Sequence, residues 1–226
     1  MKNITKYLLL MVLGLVTLQS CEKETSGGDI EIVYFADLKL LGESVMVLDQ
    51  GSSFVDPGFE ATEQGEDISD RVQVRGTVNT TTTGSYTLTY DVKNSDGYAK
   101  SLQRQVFVVP ASAKILDIEG VYKGQREGRA VTPAATTIKN FEKAVYFAED
   151  FFGGFYNVVS GYGLSYRLPT YFFIDATNKV IALSNNSPWG PWQVNNGTYD
   201  DSSKTFKFTV YSVTNAFGFN VILTKE

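Results

Sequence analysis

The stretch Gly84-Ser85-Tyr86-Thr87-Leu88-Thr89-Tyr90-Asp91-Val92 decides how the chain folds. Apolar Tyr86, Leu88, Tyr90 and Val92 alternate with polar Ser85, Thr87, Thr89 and Asp91. A period of two puts each set on its own face, which predicts an antiparallel strand buried on one side only. Downstream, Asn94-Ser95-Asp96-Gly97 supplies turn chemistry, and the run from Val106 to Val109 closes the unit. Further short β-rich runs between turn residues fill residues 31–110, and strands this short and this frequent predict a sandwich.

Beyond it, Pro110-Ala111-Ser112-Ala113-Lys114 is small and polar and reads as a hinge. Residues 111–226 form a second β-rich unit. Strands are expected over Ile118 to Gly124, Ala144 to Ala148, Gly154 to Val159, Thr170 to Ile174 and Lys179 to Leu183, with a helical turn or two within Thr136 to Glu149. Two sharper strands close the chain: Phe206, Phe208 and Val210 share one face, as do Phe217, Phe219, Val221 and Leu223, and Thr214-Asn215 joins them as a hairpin. The aromatic rungs favour an antiparallel barrel of lipocalin-like character whose small lumen they would fill; a second sandwich is the alternative. The fold class is thus all-β throughout.

The first twenty residues are different. Lys2 and Lys6 precede an apolar stretch from Tyr7 to Leu18, which reads as a signal peptide over residues 1–20 and is short for a membrane span. The only cysteine, Cys21, follows it directly. Leu18-Gln19-Ser20-Cys21 resembles the lipobox of bacterial lipoproteins, and that resemblance implies cleavage before Cys21, lipid on its sulfur and acylation of the new amino group. Several acyl chains would hold the protein on a membrane for practical purposes permanently. Residues 21–30 then form a polar, glycine-containing tether, and its acidic character resembles the export tags of lipoproteins from gut bacteria with starch-utilisation-type (Sus-like) uptake systems.

Composition excludes several functions. The formal charge is −5, and losing Lys2 and Lys6 with the signal peptide takes it to −7. Such a body argues against nucleic acid as a partner. With no histidine in the chain, the usual proton shuttle and the commonest metal ligand are missing. Lipidation would consume the one thiol. Glu149, Asp150 and Asp175 are the acids on hand for glycoside hydrolysis, but no hydrolase signature accompanies them. No enzymatic activity, cofactor or metal is expected.

"GSSFVDPGFEATEQGEDISDRV" (residues 51–72) with "TGSYTLTYDVKNSDGYAKSLQRQVFVV" (83–109) looks like the bacterial Ig-like domain of surface proteins and some crystal toxins. Asp56-Pro57-Gly58, Ala61, Asp67-Ile68, Gly76, Gly84, Tyr86, Tyr90, Asp96-Gly97 and Arg104 carry the match. Thr83 and Tyr98 depart from it, where proline and asparagine are common. The resemblance implies a spacer. Asp56, Asp67, Asp70 and Asp96 read either as calcium ligands or as turn formers, and the absence of a dense oxygen-ligand loop favours turns. The whole layout, with "IEGVYKG" opening and "NGTYDDSSKTFKFTVYSVTNAFGFNVILTK" closing the second unit, resembles surface lipoproteins encoded with Sus-like glycan importers.

Aromatic loops are the candidate site. Phe151-Phe152-Gly153-Gly154-Phe155-Tyr156, Gly161-Tyr162-Gly163 and Ser187-Pro188-Trp189-Gly190-Pro191-Trp192 set rings among loop-forming residues. Flat apolar faces suit pyranose C–H groups, and nearby amides suit hydroxyls. The segment from Asn185 to Asn196 is therefore expected to be a carbohydrate platform, with Trp189, Trp192, Tyr162, Asn186 and Gln193 touching ligand; packing of both tryptophans as barrel plugs is the competing reading. The expected partners are the membrane, through the lipid, a glycan, and an outer-membrane importer complex. The last leaves open an adaptor with no ligand of its own.

Overall fold

The computed structural model describes residues 32–226, so the signal peptide and the lipidated tether lie outside the described residues. The alternation between Gly84 and Val92 is realised as read: Leu88, Tyr90 and Val92 are buried while Ser85 and Thr87 are exposed. The strands of this half are β1 (Asp37–Leu40), β2 (Val45–Asp49), β3 (Phe59–Glu63), β4 (Glu66–Asp67), β5 (Gln73–Arg75), β6 (Gly84–Lys93) and β7 (Ala99–Val109). They form two sheets, ordered β1-β3-β4 and β2-β7-β6-β5. All pairings are antiparallel except β2 with β7, which is parallel. Between the sheets Leu38, Ala61, Ile68, Leu88, Tyr90 and Val92 make the core, joined by Phe54, Phe59 and Leu102.

One cation sits inside this half. Arg104 is fully buried. Its guanidinium donates to the carbonyls of Glu43 and Gly58, each at 3.1 Å, and of Leu41, and pairs with Asp56. Asp56 also accepts from the Tyr90 hydroxyl at 2.7 Å and from the Gly58 N–H at 3.1 Å. A buried guanidinium is tolerated only when its donors are met, and this one stitches β7 to two loops. Two other aspartates weighed above as calcium ligands are employed similarly. Asp67 accepts from the Ser69 N–H at 2.9 Å and Asp96 from the Asn94 side-chain amide at 3.3 Å. Among the described residues no three His, Cys, Asp or Glu side chains gather as a metal site requires.

The second half runs β8 (Gly120–Arg126), β9 (Thr132–Glu142), β10 (Val145–Ala148), β11 (Thr170–Ile174), β12 (Val180–Asn185), β13 (Trp192–Asp200), β14 (Thr205–Ser212) and β15 (Phe217–Lys225). These make an eight-stranded antiparallel sheet, β12-β11-β10-β9-β8-β15-β14-β13. It curls until its two edge strands meet at one bridge, Lys179 with Thr198. The result is a nearly closed barrel. Its interior is packed with rings: Phe151 stacks on Phe208 at 4.5 Å and contacts Phe172 at 5.1 Å, and Tyr122 and Tyr199 flank Phe206. The buried Tyr122 hydroxyl is satisfied by the Ile118 carbonyl at 2.7 Å. The lumen is therefore core and not a ligand cavity.

Three local expectations need correction. Gly154 to Val159 is not a strand: Gly153 and Gly154 both take left-handed φ, +63° and +76°, and a π-helical turn over Phe155–Val159 follows. Thr136 to Glu149 holds no helix, because its β-branched Thr136-Thr137-Ile138 run alternates in burial and extends as β9. The loop expected from Asn185 to Asn196 is shorter, since β13 begins at Trp192.

The segment read as a hinge is bound down. The Lys114 N–H donates to the Ile174 carbonyl at 2.8 Å. Val47, Phe107 and Val109 of the first half share a buried cluster with Val145 and Phe173 of the second, and Phe107 meets Tyr171 at 5.1 Å. Gln105 donates to Ser184 at 2.8 Å and Lys143 pairs with Asp49 at 2.8 Å across the same junction. Residues Phe35–Glu226 form one compact unit. Among the described residues no helix is long and apolar enough to cross a membrane.

Candidate ligand site

The site is built on a buried carboxylate. Asp150 leaves the end of β10 and turns inward, fully buried. One oxygen accepts from the N–H groups of Phe152, at 2.8 Å, and Leu168, at 3.0 Å; the other accepts from the Gly154 N–H at 3.1 Å. Burial pushes its carboxyl up to about 6, against the pull of those N–H bonds and of Arg167. The loop it pins carries Phe151 and Phe152 into the core and then releases Tyr156 towards the surface. Glycine is required here: a Cβ on Gly154 would stand 2.8 Å from Thr132, and one on Gly124 of β8 would stand 2.4 Å from the Gly153 carbonyl oxygen. Arg126 fastens the far side, its guanidinium 4.5 Å from the Phe155 ring centre and 4.4 Å from that of Phe219.

Above this base four rings meet. Trp189 lies 4.4 Å from Tyr156, 5.0 Å from Tyr166 and 6.3 Å from Tyr162, measured between ring centres, and Tyr156 and Tyr162 are near parallel at 16°. Tyr162 is 56 % exposed; Trp189, Tyr156 and Tyr166 are half-buried. Beside them is a cleft of about 540 Å³ walled by Asn186, Ser187 and Pro188 on one side and by Leu164, Ser165 and Arg167 on the other, with Phe147 and Glu149 also in its lining. Glu149 accepts from Arg167 at 3.1 Å and lies 3.5 Å from Lys139.

The five residues singled out from sequence separate into three places. Trp189, Tyr162 and Asn186 come together at the patch and its cleft. Trp192, 5 % exposed, is a plug: its indole packs on Phe152 at 4.8 Å and on Phe217 at 5.9 Å, and its N–H is buried with no acceptor among the described residues. The physical reason is strand register, which sends Trp192 of β13 to the barrel's interior while neighbouring Gln193 is exposed. Gln193 lies on β13, in a separate hollow between β12 and β13. Tyr166 and Arg167 were missed. Tyr166 stands four residues after Tyr162 in the same loop, and that continuation of the aromatic run was the available signal. Of the other acids, Asp175 accepts from the N–H groups of Thr177, at 2.7 Å, and Lys179, at 2.9 Å, within a turn.

The two halves define a class, bacterial surface proteins in which an Ig-like domain carries a second β domain: a family model described as "Bacterial surface protein, Ig-like domain" matches residues 38–108. The chain belongs to the family of the lipoprotein BT2262, and a second family model, described as a C-terminal domain, matches residues 112–225. Among solved structures it is similar to the lipoprotein BT2262 from Bacteroides thetaiotaomicron, with 31 % identity over 84 % of this chain and 100 % of that one, at a TM-score of 0.45. Two structures of Clostridium perfringens ZmpB also align at 14 % identity. One holds CBM51-2, in complex with GlcNAc, and INT domains (84 % of this chain, 43 % of that one, TM-score 0.28); the other holds the M60 catalytic domain with CBM51-1 and CBM51-2 (85 % and 21 %, TM-score 0.30). At those values neither bears on the site. No curated protein matches.

Proposed function

We propose that this protein is an outer-membrane lipoprotein, anchored through Cys21 and facing the cell exterior, that captures a polysaccharide or oligosaccharide for a Sus-like importer without transforming it. The observation that carries this reading is the patch of Trp189, Tyr156, Tyr162 and Tyr166 beside a cleft lined by both polar and apolar side chains. Rings half-exposed on a surface, with hydroxyl tips and neighbouring amide and hydroxyl side chains, suit the alternating C–H and O–H surface of a sugar.

The surroundings fit capture better than turnover. Hydrolysis needs two carboxylates facing one bond. Asp150 is turned into the core and held by three backbone N–H groups, while Glu149 in the cleft is engaged with Arg167 and Lys139. The Ig-like half suits a strut. Its last strand, β7, has eleven residues, about 36 Å end to end at the usual rise per residue, and the packed junction passes that length on to the second half.

The test is binding of the mature chain to arrayed plant and host polysaccharides, followed by calorimetry on wild type and Trp189→Ala. Loss of affinity in the variant at unchanged stability supports the site; equal binding removes it. Recovery of an importer subunit in a pull-down, with no glycan bound on the array, would favour the adaptor. Turnover of a glycoside abolished by Glu149→Gln would replace capture with catalysis. Mass spectrometry of the native protein decides the anchor by the presence of fatty acid on Cys21.

A further inference from the structure

The barrel stops one pairing short of closure, and the gap is shaped. β12 and β13 are consecutive strands joined by residues 186–191, and the gap between them is tied at both ends, in antiparallel register at one and through a side chain at the other. At one end Lys179 bridges Thr198 and the Tyr199 N–H donates to the Asn178 carbonyl at 2.9 Å. At the other the Asn185 side-chain amide donates from Nδ2 to the Trp192 carbonyl at 3.0 Å. Between these clamps the two strands are not hydrogen-bonded neighbours. Two hollows of about 490 and 390 Å³ fill the seam, and both are lined by Ala182, Val194 and Asn195.

Each edge strand carries an irregularity in the ladder to its one paired neighbour. The β11–β12 register slips opposite Leu183, and the β13–β14 register slips between Asn195 and Thr198, where Asn196 takes a left-handed φ of +53°. Bulges bend and re-aim strands, and both strands that border the gap carry one. An open edge in water is normally paired or covered, because its free backbone groups recruit other chains. A peptide strand is a poor occupant. It would need about 4.8 Å to each neighbour, yet the seam is clamped at both ends, and a Cβ on Gly197 would already stand 2.7 Å from the Val180 carbonyl oxygen. What the seam offers is an apolar floor at Ala182 and Val194 with exposed carboxamides at Gln193, Asn195 and Asn196. That chemistry fits a hydroxyl-rich chain lying over the groove.

The seam begins where the aromatic site ends, since Asn186 lines the cleft and Asn185 lines the smaller hollow. We infer that the seam continues the ligand site, and that the glycan is a linear chain held along several sugar residues. This rests on the glycan-capture reading. In the test, an array fixes the polysaccharide, and its sized di-, tetra- and hexasaccharide fractions are titrated into wild type, Trp189→Ala and the double variant Gln193→Ala/Asn195→Ala. Both changed residues of the double variant are exposed, and an unchanged melting temperature confirms its fold.

Wild-type affinity should rise about tenfold from di- to hexasaccharide, the gain of two ordinary hydrogen bonds. The double variant should bind disaccharide as wild type does and lose that gain, whereas Trp189→Ala should weaken every length. Equal affinity of wild type for all lengths, or a double variant that keeps the gain, overturns the seam as a subsite and leaves the aromatic patch standing. Absence of any arrayed glycan binding overturns the capture reading and the seam with it.

Discussion

The two halves bury their difficult groups in opposite ways. The Ig-like half places a cation at its centre, Arg104, and meets it with three carbonyls and Asp56. The barrel half buries an acid, Asp150, and meets it with three backbone N–H groups. Arg104 ties loops to a sandwich whose surface carries short turns. Asp150 holds a glycine-rich loop that delivers aromatic rings to the outside. The same physics, a buried charge that must be hydrogen-bonded, fastens loops to a sandwich in one case and an aromatic loop to a barrel in the other.

Four measurements would break or sharpen that contrast. The largest effects are expected where each half loses its anchor: Arg104→Ala should cost about 3–5 kcal/mol by leaving Asp56 without its partner. Trp192→Ala should cost about the same by emptying the barrel's plug. Denaturant titration followed by two probes, one in each half, reads both. Because Phe107 and Val109 share a cluster with Val145 and Phe173, either change should lower one common transition. Two separated transitions would show that the junction does not couple the halves.

Next is the pH response of Asp150. Its folded value, about 6, lies above the usual carboxylate range, so the native state binds the proton more tightly than the unfolded chain. Stability from this group is therefore greatest below about pH 4 and is lost as pH rises through about 6, by about 3 kcal/mol in all. No histidine is present to titrate in the same window. Melting temperatures between pH 5 and 7 should slope downward in wild type and flatten in Asp150→Asn. A flat wild-type profile would remove the buried acid from the account.

Smaller still, Trp189→Ala should weaken glycan binding about tenfold, some 1.4 kcal/mol, while moving the melting temperature little. Set beside Trp192→Ala it separates a half-exposed ring from a buried one by two different readouts. Smallest is Lys143→Ala, which removes the partly exposed pair with Asp49 at the junction. Such pairs contribute under about 1 kcal/mol, so a larger loss in denaturant titration would mean the junction depends on charge and not on its apolar cluster.

Much of the first half was legible. Alternation from Tyr86 to Val92, turn residues at Asn94 to Gly97 and the scattered positions from Asp56 to Arg104 specify strands whose faces and ends are local properties. The barrel half was legible in its last strands, from Thr205 to Ser212 and from Phe217 to Lys225, for the same reason. Where glycine pairs interrupt an apolar run, as at Gly153-Gly154, periodicity no longer separates a strand from a turn, and Phe155–Val159 was misread. The two tryptophans show the limit most clearly. Both lie in one Pro/Gly-rich stretch three residues apart, and local sequence offers no reason to bury Trp192 and leave Trp189 half-exposed.

By itself the sequence determined the all-β class, the layout in two halves and the strand faces, because these depend on periodicity, turn chemistry and composition within a few residues. Only the tertiary structure decided that the halves share a core, that Tyr156, Tyr162, Tyr166 and Trp189 converge, that Asp150 is buried, and that the barrel keeps an open seam. Those facts depend on where strands far apart in the chain come to lie, and on the register in which they pair. A one-residue change of register moves every side chain of a strand to the other face.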